Sequence, residues 1–82
     1  MTATVTYYVV KPFKWDGGLA MAGDPIEKPN RQAAIAAARM LGDRKGHGAI
    51  AFSRTGDPAT GDWEPAVVIQ TFGEVPDDAA DD

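Results

Sequence analysis

The large apolar residues of this 82-residue chain lie in two blocks near its ends, and this distribution limits the fold more than any other feature. Val, Ile, Phe, Tyr and Trp fill both blocks, whereas leucine occurs only at Leu19 and Leu41. β-Branched and aromatic residues favour strands, so the pattern indicates a sheet rather than a helical bundle. A chain of this length holds one domain with a modest core.

The charges of the chain balance once its C-terminal end is set aside. The net charge is −4, and the four aspartates among residues 77–82 account for all of it, leaving eight acidic and eight basic residues. A balanced surface lacks the positive field that drives non-specific nucleic-acid binding, so nucleic acid is an unlikely partner on charge alone.

The composition also indicates where the chain resides. No cysteine is present, which excludes disulfides, thiolate metal sites and a cysteine nucleophile and suits a reducing cytoplasm. The N-terminal residues show no secretory signal, and no apolar run approaches the ~20 residues of a membrane span. We therefore expect a cytoplasmic protein without membrane contact.

The N-terminal half predicts two strands. Residues 4–10 are rich in threonine, valine and tyrosine with no helical period, which is typical of a strand. Asp16-Gly17-Gly18 is a tight-turn sequence, and residues 19–22 would return beside the first strand as a short edge strand.

One helix is predicted from about Arg31 to Asp43. Asn30 is a good N-cap, and Gly42 or Gly46 can end the helix in a left-handed conformation. Because its apolar stripe consists mainly of alanine, the helix can lie close to a sheet; the stripe comprises Ala34, Ile35, Ala38 and Leu41.

Two further strands follow, at 49–53 and 66–72, joined through turn-forming residues that would extend them into a long hairpin. The sequence therefore predicts an α+β fold of the ββαββ type, with one helix on one face of a mainly antiparallel four-stranded sheet. Residues 1–76 form the single domain. Residues 77–82, containing only aspartate and alanine, are expected to be a disordered acidic tail.

A single helix covers one face of a sheet, so the other face becomes a candidate interface. We expect the helix to cover one set of side chains, namely Val5, Tyr7, Val9, Ile50, Phe52, Val67 and Ile69. The uncovered face would then carry the interface candidates Tyr8, Val10, Val68 and Phe72 and support a homodimer. In the alternative, part of the chain folds over that face: Pro12, Phe13, Ile26 or the segment around Val75.

Residues 55–62 repeat Thr-Gly-Asp around a proline. One interpretation gives the loop a ligand: its oxygen atoms would bind calcium or magnesium, or its amides an anion. The preferred interpretation is a hairpin loop in which aspartate and threonine bond nearby backbone, because the spacing matches no EF-hand and the segment lacks the glycine-rich turn and lysine of a P-loop. The ligand-loop candidates are Arg54, Thr55, Asp57, Thr60, Asp62 and His47.

His47 is the only histidine, and it follows Arg44 and Lys45. It could join Arg54 in an anion-binding site, but without a metal partner or nucleophile it is more typical of a loop residue. We therefore name no catalytic residue, no metal ligand and no cofactor.

A base-stacking surface is a further hypothesis. Aromatic residues flanked by cations bind single-stranded nucleic acid in several sheet proteins. Here those residues are Lys11, Phe13, Lys14, Trp15 and Arg54.

The segment Ala51 to Asp62, followed by Val67-Val68, resembles a group of small uncharacterised bacterial proteins. The N-terminal Tyr-Tyr-Val-Val and the alanine-rich helix share the likeness, which covers most of residues 4–76. The resemblance implies a bacterial cytoplasmic origin and transfers no activity and no site residues.

The sequence thus favours a non-enzymatic interaction or binding module that self-associates through the uncovered sheet face. An anion-, phosphate- or nucleic-acid-binding domain using residues 44–62 is the alternative, and an enzyme ranks third.

Overall fold

The computed structural model describes residues 4–76 as one helix on an antiparallel sheet, which confirms the α+β class. The predicted tail at 77–82 lies outside the described residues. Six strand segments replace the four expected, because two short segments that were not predicted, Ile26–Lys28 and Asp62–Trp63, also pair in the sheet. The elements in chain order are β1 Val5–Asp16, β2 Leu19–Ala22, β3 Ile26–Lys28, α1 Arg31–Gly42, β4 His47–Asp57, β5 Asp62–Trp63 and β6 Val67–Gly73.

The two long strands β1 and β4 form the centre of the sheet. They pair antiparallel from Val5 opposite Gly56 to Lys14 opposite His47. β2 and β3 follow one another along the outer side of β1, and β5 and β6 do the same along β4. The sheet is therefore four strands wide, but both outer strands are interrupted, so the order and number of its segments differ from the predicted ββαββ arrangement.

A proline accompanies each interruption. Pro25 lies between β2 and β3, and Pro65 lies between β5 and β6. Proline has no N–H to donate to a neighbouring strand. The inter-strand hydrogen bonding therefore stops at each proline and begins again in the next segment. The predicted turn between β1 and β2 is confirmed, with positive φ at Gly17 and Gly18.

The helix begins where its cap predicts. The Asn30 side chain accepts a hydrogen bond from the Ala33 N–H at 2.8 Å. Of the two predicted terminators, Gly46 is left-handed (φ 78°), whereas Gly42 remains in the helix. A Cβ on Gly42 would lie 2.7 Å from the Cβ of Phe72, so this glycine lets the helix end approach β6. No helix among the described residues is long and apolar enough to cross a membrane.

The prediction of which sheet face the helix covers is wrong. The helix packs on the side of the sheet that carries small residues. The buried cluster between them contains Ala34 and Ala38 from the helix and Val10, Ala49 and Ala51 from the sheet. Alanines facing alanines let the helix and sheet backbones approach closely and exclude water with little side-chain volume. The bulky side of β4, with Ile50 and Phe52, faces away from the helix.

The chain itself covers much of that second face. Phe13, Ile50 and Phe52 form a second buried cluster, at most 5% exposed, and apolar residues from other segments pack on it: Val9, Ala20, Ala66 and Val75. Trp15 holds the C-terminal segment on this face, because its Nε1 donates a hydrogen bond to the Glu74 carbonyl at 2.7 Å. The Val75 segment thus folds over the sheet, but on the face of Ile50 and Phe52 and not on the face of Tyr8 and Val10, where the alternative placed it.

The helix is too short to cover the sheet lengthwise. Twelve helical residues span about 18 Å, whereas the twelve residues of β1 span about 40 Å. The helix makes no contact with β5. Residues 4–7, 54–57 and 62–63 therefore form an end of the sheet that projects beyond the helix, within a molecule 49 Å long and 16 Å thick.

Candidate functional site

The four predicted interface residues do not share an open face. Val10 is completely buried, and Tyr8 and Phe72 are half-buried against the helix cluster. Val68 pairs with Phe52, whose side chain faces away from the helix, and is 47% exposed. The face-to-face contact expected from these residues therefore has no continuous surface in the fold.

His47 and Arg54 do not come together as an anion site. They lie at opposite ends of β4, seven residues and thus about 23 Å apart. Their side chains also alternate to opposite faces of the strand. His47 instead makes a local contact, with its Nδ1 3.2 Å from the Lys45 carbonyl oxygen.

The loop of residues 55–62 behaves as the hairpin interpretation expects. The Asp57 carboxylate accepts from the Ala59 N–H at 2.9 Å, and the Asp57 carbonyl accepts from the Gly61 N–H at 2.8 Å. Thr60 Oγ1 accepts from the Asp62 N–H at 3.4 Å. The Asp57 and Thr60 side chains thus bind the loop's own backbone, whereas Thr55 Oγ1 lies 2.9 Å from Thr6 Oγ1 on β1. Within residues 4–76, no three His, Cys, Asp or Glu side chains are grouped as a metal ion would require.

The projecting end of the sheet carries an open depression of about 430 Å³ on the face turned away from the helix. We call it the aromatic depression. Its lining combines two aromatic rings, one aliphatic side chain, one cation and one carboxylate: Tyr7, Trp63, Val9, Arg54 and Glu27. β1 supplies Tyr7 and Val9, and β3, β4 and β5 supply one of these side chains each.

The register of the hairpin builds the aromatic wall of this depression. Trp63 pairs with Gly56, and a Cβ on Gly56 would lie 2.5 Å from the indole Cδ2. The indole therefore lies over the bare glycine backbone. It packs there against Tyr7, with ring centroids 5.7 Å apart, and beneath the Arg54 guanidinium, 5.8 Å from its centroid. Tyr7 and Trp63 remain 37% and 39% exposed.

The aromatic residues named for base stacking lie elsewhere. Phe13 is 5% exposed in the second core cluster, and Trp15 is bonded to the C-terminal segment. Of the cations named with them, Arg54 reaches the aromatic depression. Tyr7 was expected under the helix, and Trp63 was expected to close the edge of the core rather than to anchor a partner. A glycine opposite a tryptophan in a hairpin is a sequence signal for the exposed aromatic pair.

The outer edge of β6 is the second surface of interest. β6 pairs with β4 on one side, and no strand among residues 4–76 pairs with its other side. Its seven residues contain no charge and no proline. Val67 and Val68 are 61% and 47% exposed, and one bulge, at Ile69, interrupts the register.

The opposite edge of the sheet is built differently. β2 and β3 are only four and three residues long, and Gly23-Asp24-Pro25 separates them. Glu27 and Lys28 add charges to that edge. Short segments, proline, charge and bulges keep sheet edges from pairing with other chains, and of these four β6 has only the bulge.

Comparison of the chain with protein-family models, with curated proteins and with solved structures finds no match.

Proposed function

We propose that this chain is a non-enzymatic interaction module that forms a homodimer by antiparallel pairing of the β6 edges of two copies. The observation that supports the proposal is the contrast between the outer segments of the sheet: β6 is seven residues long and uncharged, with one bulge, whereas β2, β3 and β5 are four, three and two residues long.

The backbone of β6 supplies the binding groups. An edge strand presents a row of N–H and C=O groups that can form a ladder with another strand. Two copies of β6 bring no charges into opposition, so the like-charge repulsion that penalises pairing of identical charged strands does not arise. The exposed side chains of Val67 and Val68 would lose water contact in the same step.

The same contrast explains why assembly would stop at two copies. Antiparallel pairing of identical strands generates a two-fold axis and consumes the β6 edge of both copies. The outer edges of the resulting eight-strand-wide sheet are then the two protected β2/β3 edges. A closed dimer follows rather than an open fibre.

The dimer is expected to be of moderate affinity. Pairing of two seven-residue strands buries less than the ~1,600 Å² of a standard stable interface, which places the dissociation constant in the micromolar range or above.

Sedimentation or light scattering across a concentration series tests the proposal. The wild-type chain should move from 8.7 kDa towards twice that mass as concentration rises. Val67→Lys adds a charge to each β6 edge and should weaken the dimer at least tenfold. Leu19→Lys is the matched control, since it places the same charge at a 73% exposed apolar position on the other edge.

Two outcomes would overturn the proposal. One is a wild-type chain that stays monomeric up to about 1 mM, the upper limit of a meaningful weak affinity. The other is a dimer weakened equally by both lysine variants, which would place the contact away from β6. Circular dichroism of each variant verifies that the fold is retained.

A further inference from the structure

We infer that the aromatic depression is a binding site for a planar heteroaromatic ring carrying an anionic group, the chemistry of a nucleotide. This site is separate from the β6 edge, because its lining residues come from β1, β3, β4 and β5. The inference therefore stands independently of the proposed dimer.

The ring-binding part of the site is formed in advance. The Trp63 indole is held in place by the Gly56 backbone, the Tyr7 ring and the Arg54 guanidinium, yet more than a third of its surface is exposed. A tryptophan held by several neighbours loses little side-chain entropy when a ligand ring packs on its exposed surface. Every base presents a face for such stacking, so this part of the site selects flat aromatic ligands.

The polar groups lie on opposite sides of β1. Arg54 is on β4 and Glu27 on β3, and both point to the face turned away from the helix. Neighbouring strands are about 4.8 Å apart, so β3 and β4 are separated by about 10 Å. That separation matches a ligand with an anion at one end and N–H donors at the other, as in a nucleobase joined to its phosphate.

Each polar group has the appropriate chemistry. A guanidinium carries five N–H donors, so Arg54 can contact a phosphate while keeping its neighbouring interactions. The Glu27 carboxylate only accepts hydrogen bonds and would receive the amino or ring N–H groups of a base. A site with stacking alone would bind any apolar ring, whereas this pair of groups favours a base with a phosphate.

The depression is large enough for one nucleotide. Its volume of about 430 Å³ lies within the 300–1,000 Å³ typical of small-ligand sites. The balanced charge of residues 1–76 provides no continuous positive groove for a long strand. The ligand is thus a free nucleotide or a single nucleotide of a short strand, with the same recognition chemistry in both cases.

NMR titration of the full chain tests the inference. Adding AMP or UMP should shift the Trp63 indole N–H signal and the backbone amides of Tyr7, Val9 and Arg54, with saturation near or below about 1 mM. Adenosine, which lacks the phosphate, should bind at least severalfold more weakly, and inorganic phosphate alone should leave the indole signal unchanged. A single-stranded hexanucleotide distinguishes the sources: tighter binding than AMP at the same signals indicates a strand, and equal binding indicates the free nucleotide.

Variants separate the aromatic and polar contributions. Trp63→Leu should weaken AMP binding at least tenfold, because base stacking on an aromatic side chain supplies a factor of this size. Glu27→Gln, at an exposed position, should weaken AMP binding severalfold without affecting the fold. Trp15→Phe is the control for loss of an indole elsewhere, and it should leave AMP affinity unchanged.

The inference is overturned if AMP moves no signal of the depression up to about 10 mM, well beyond any useful affinity. It is equally overturned if the shifts are confined to residues 44–48 or 57–62, or if the Trp63→Leu and Glu27→Gln variants both bind AMP as the wild-type chain does. A change in oligomeric state alone would bear only on the proposed dimer.

Discussion

Gly48 controls whether the C-terminal segment can lie on the sheet. A Cβ at this position would overlap the carbonyl oxygen of Glu74 and approach Val75 Cγ1 at 3.1 Å. Both contacts involve the segment that covers the second core cluster, and one of them is backbone, which cannot rotate away. Gly48→Ala should therefore displace residues 74–76 without changing the strand itself.

The magnitude follows from the contacts that would be lost. The hydrogen bonds from Trp15 Nε1 to the Glu74 carbonyl and from the Glu74 N–H to the His47 carbonyl contribute about 1 kcal/mol each. Exposure of the half-buried Val75 side chain costs about 1 kcal/mol more. The lower backbone entropy of unfolded alanine offsets about 0.5–1 kcal/mol, so the net destabilisation is about 2 kcal/mol.

Such a loss is a substantial part of the stability of a domain this size, which is about 4–12 kcal/mol. It should lower the Tm by about 10 °C. Urea unfolding followed by far-UV circular dichroism gives the free energy of unfolding. Fluorescence of Trp15, the residue that holds the segment, reports its displacement before global unfolding.

A truncated chain ending at Gly73 provides the decisive comparison. If the effect of Gly48→Ala arises from the clash with the C-terminal segment, the substitution should be neutral or slightly stabilising in the truncated chain. Equal destabilisation in the full-length and truncated chains would refute the reasoning, because no coupling between Gly48 and the segment would then exist.

Two other substitutions test the helix cap and the aromatic depression. Asn30→Ala removes the N-cap hydrogen bond and should reduce the free energy of unfolding by about 1 kcal/mol, as measured by urea unfolding. Gln32→Ala is the exposed control in the same helix, and equal effects of the two substitutions would contradict the capping role. Gly56→Ala places a methyl group against the indole of Trp63 and should abolish the ring-current shifts of the Tyr7 protons in NMR spectra, whereas unchanged shifts would show that the indole does not depend on this glycine.

The sequence predicts the local structure well because local signals decide it. The Asn30 cap, the turn at residues 16–18 and the turn chemistry of residues 55–62 each involve groups a few residues apart. Such groups meet whatever the rest of the chain does. The hairpin between β4 and the last strand is predicted for the same reason. The divisions of the outer strands at Pro25 and Pro65 were missed, although both prolines are visible in the sequence.

The candidate site could not be predicted in the same way. Trp63 reaches Tyr7 only through the pairing of β5 with β4 and of β4 with β1. A shift of one residue in the register of either pairing would place these rings on opposite faces of the sheet. Glu27 lies beside these rings because β3 pairs with β1, with Glu27 opposite Val9 and Lys28 opposite Tyr8. This pairing depends on the position of the interruption at Pro25.

By itself, the sequence determined the helix and the central parts of β1, β2, β4 and β6, because these follow from periods of 2 and 3.6 residues. It did not determine every shared face, since the bulge at Ile69 places Val68 and Phe72 on opposite faces. Only the tertiary structure decided which part of the chain packs on each face of the sheet. Alternation along β4 separates Ala49 and Ala51 from Ile50 and Phe52, but it is symmetric with respect to the two sides of the sheet. The choice arises from packing between distant segments: the alanine helix fits closely on the small face, and the bulky face is enclosed by Val75 and its neighbours.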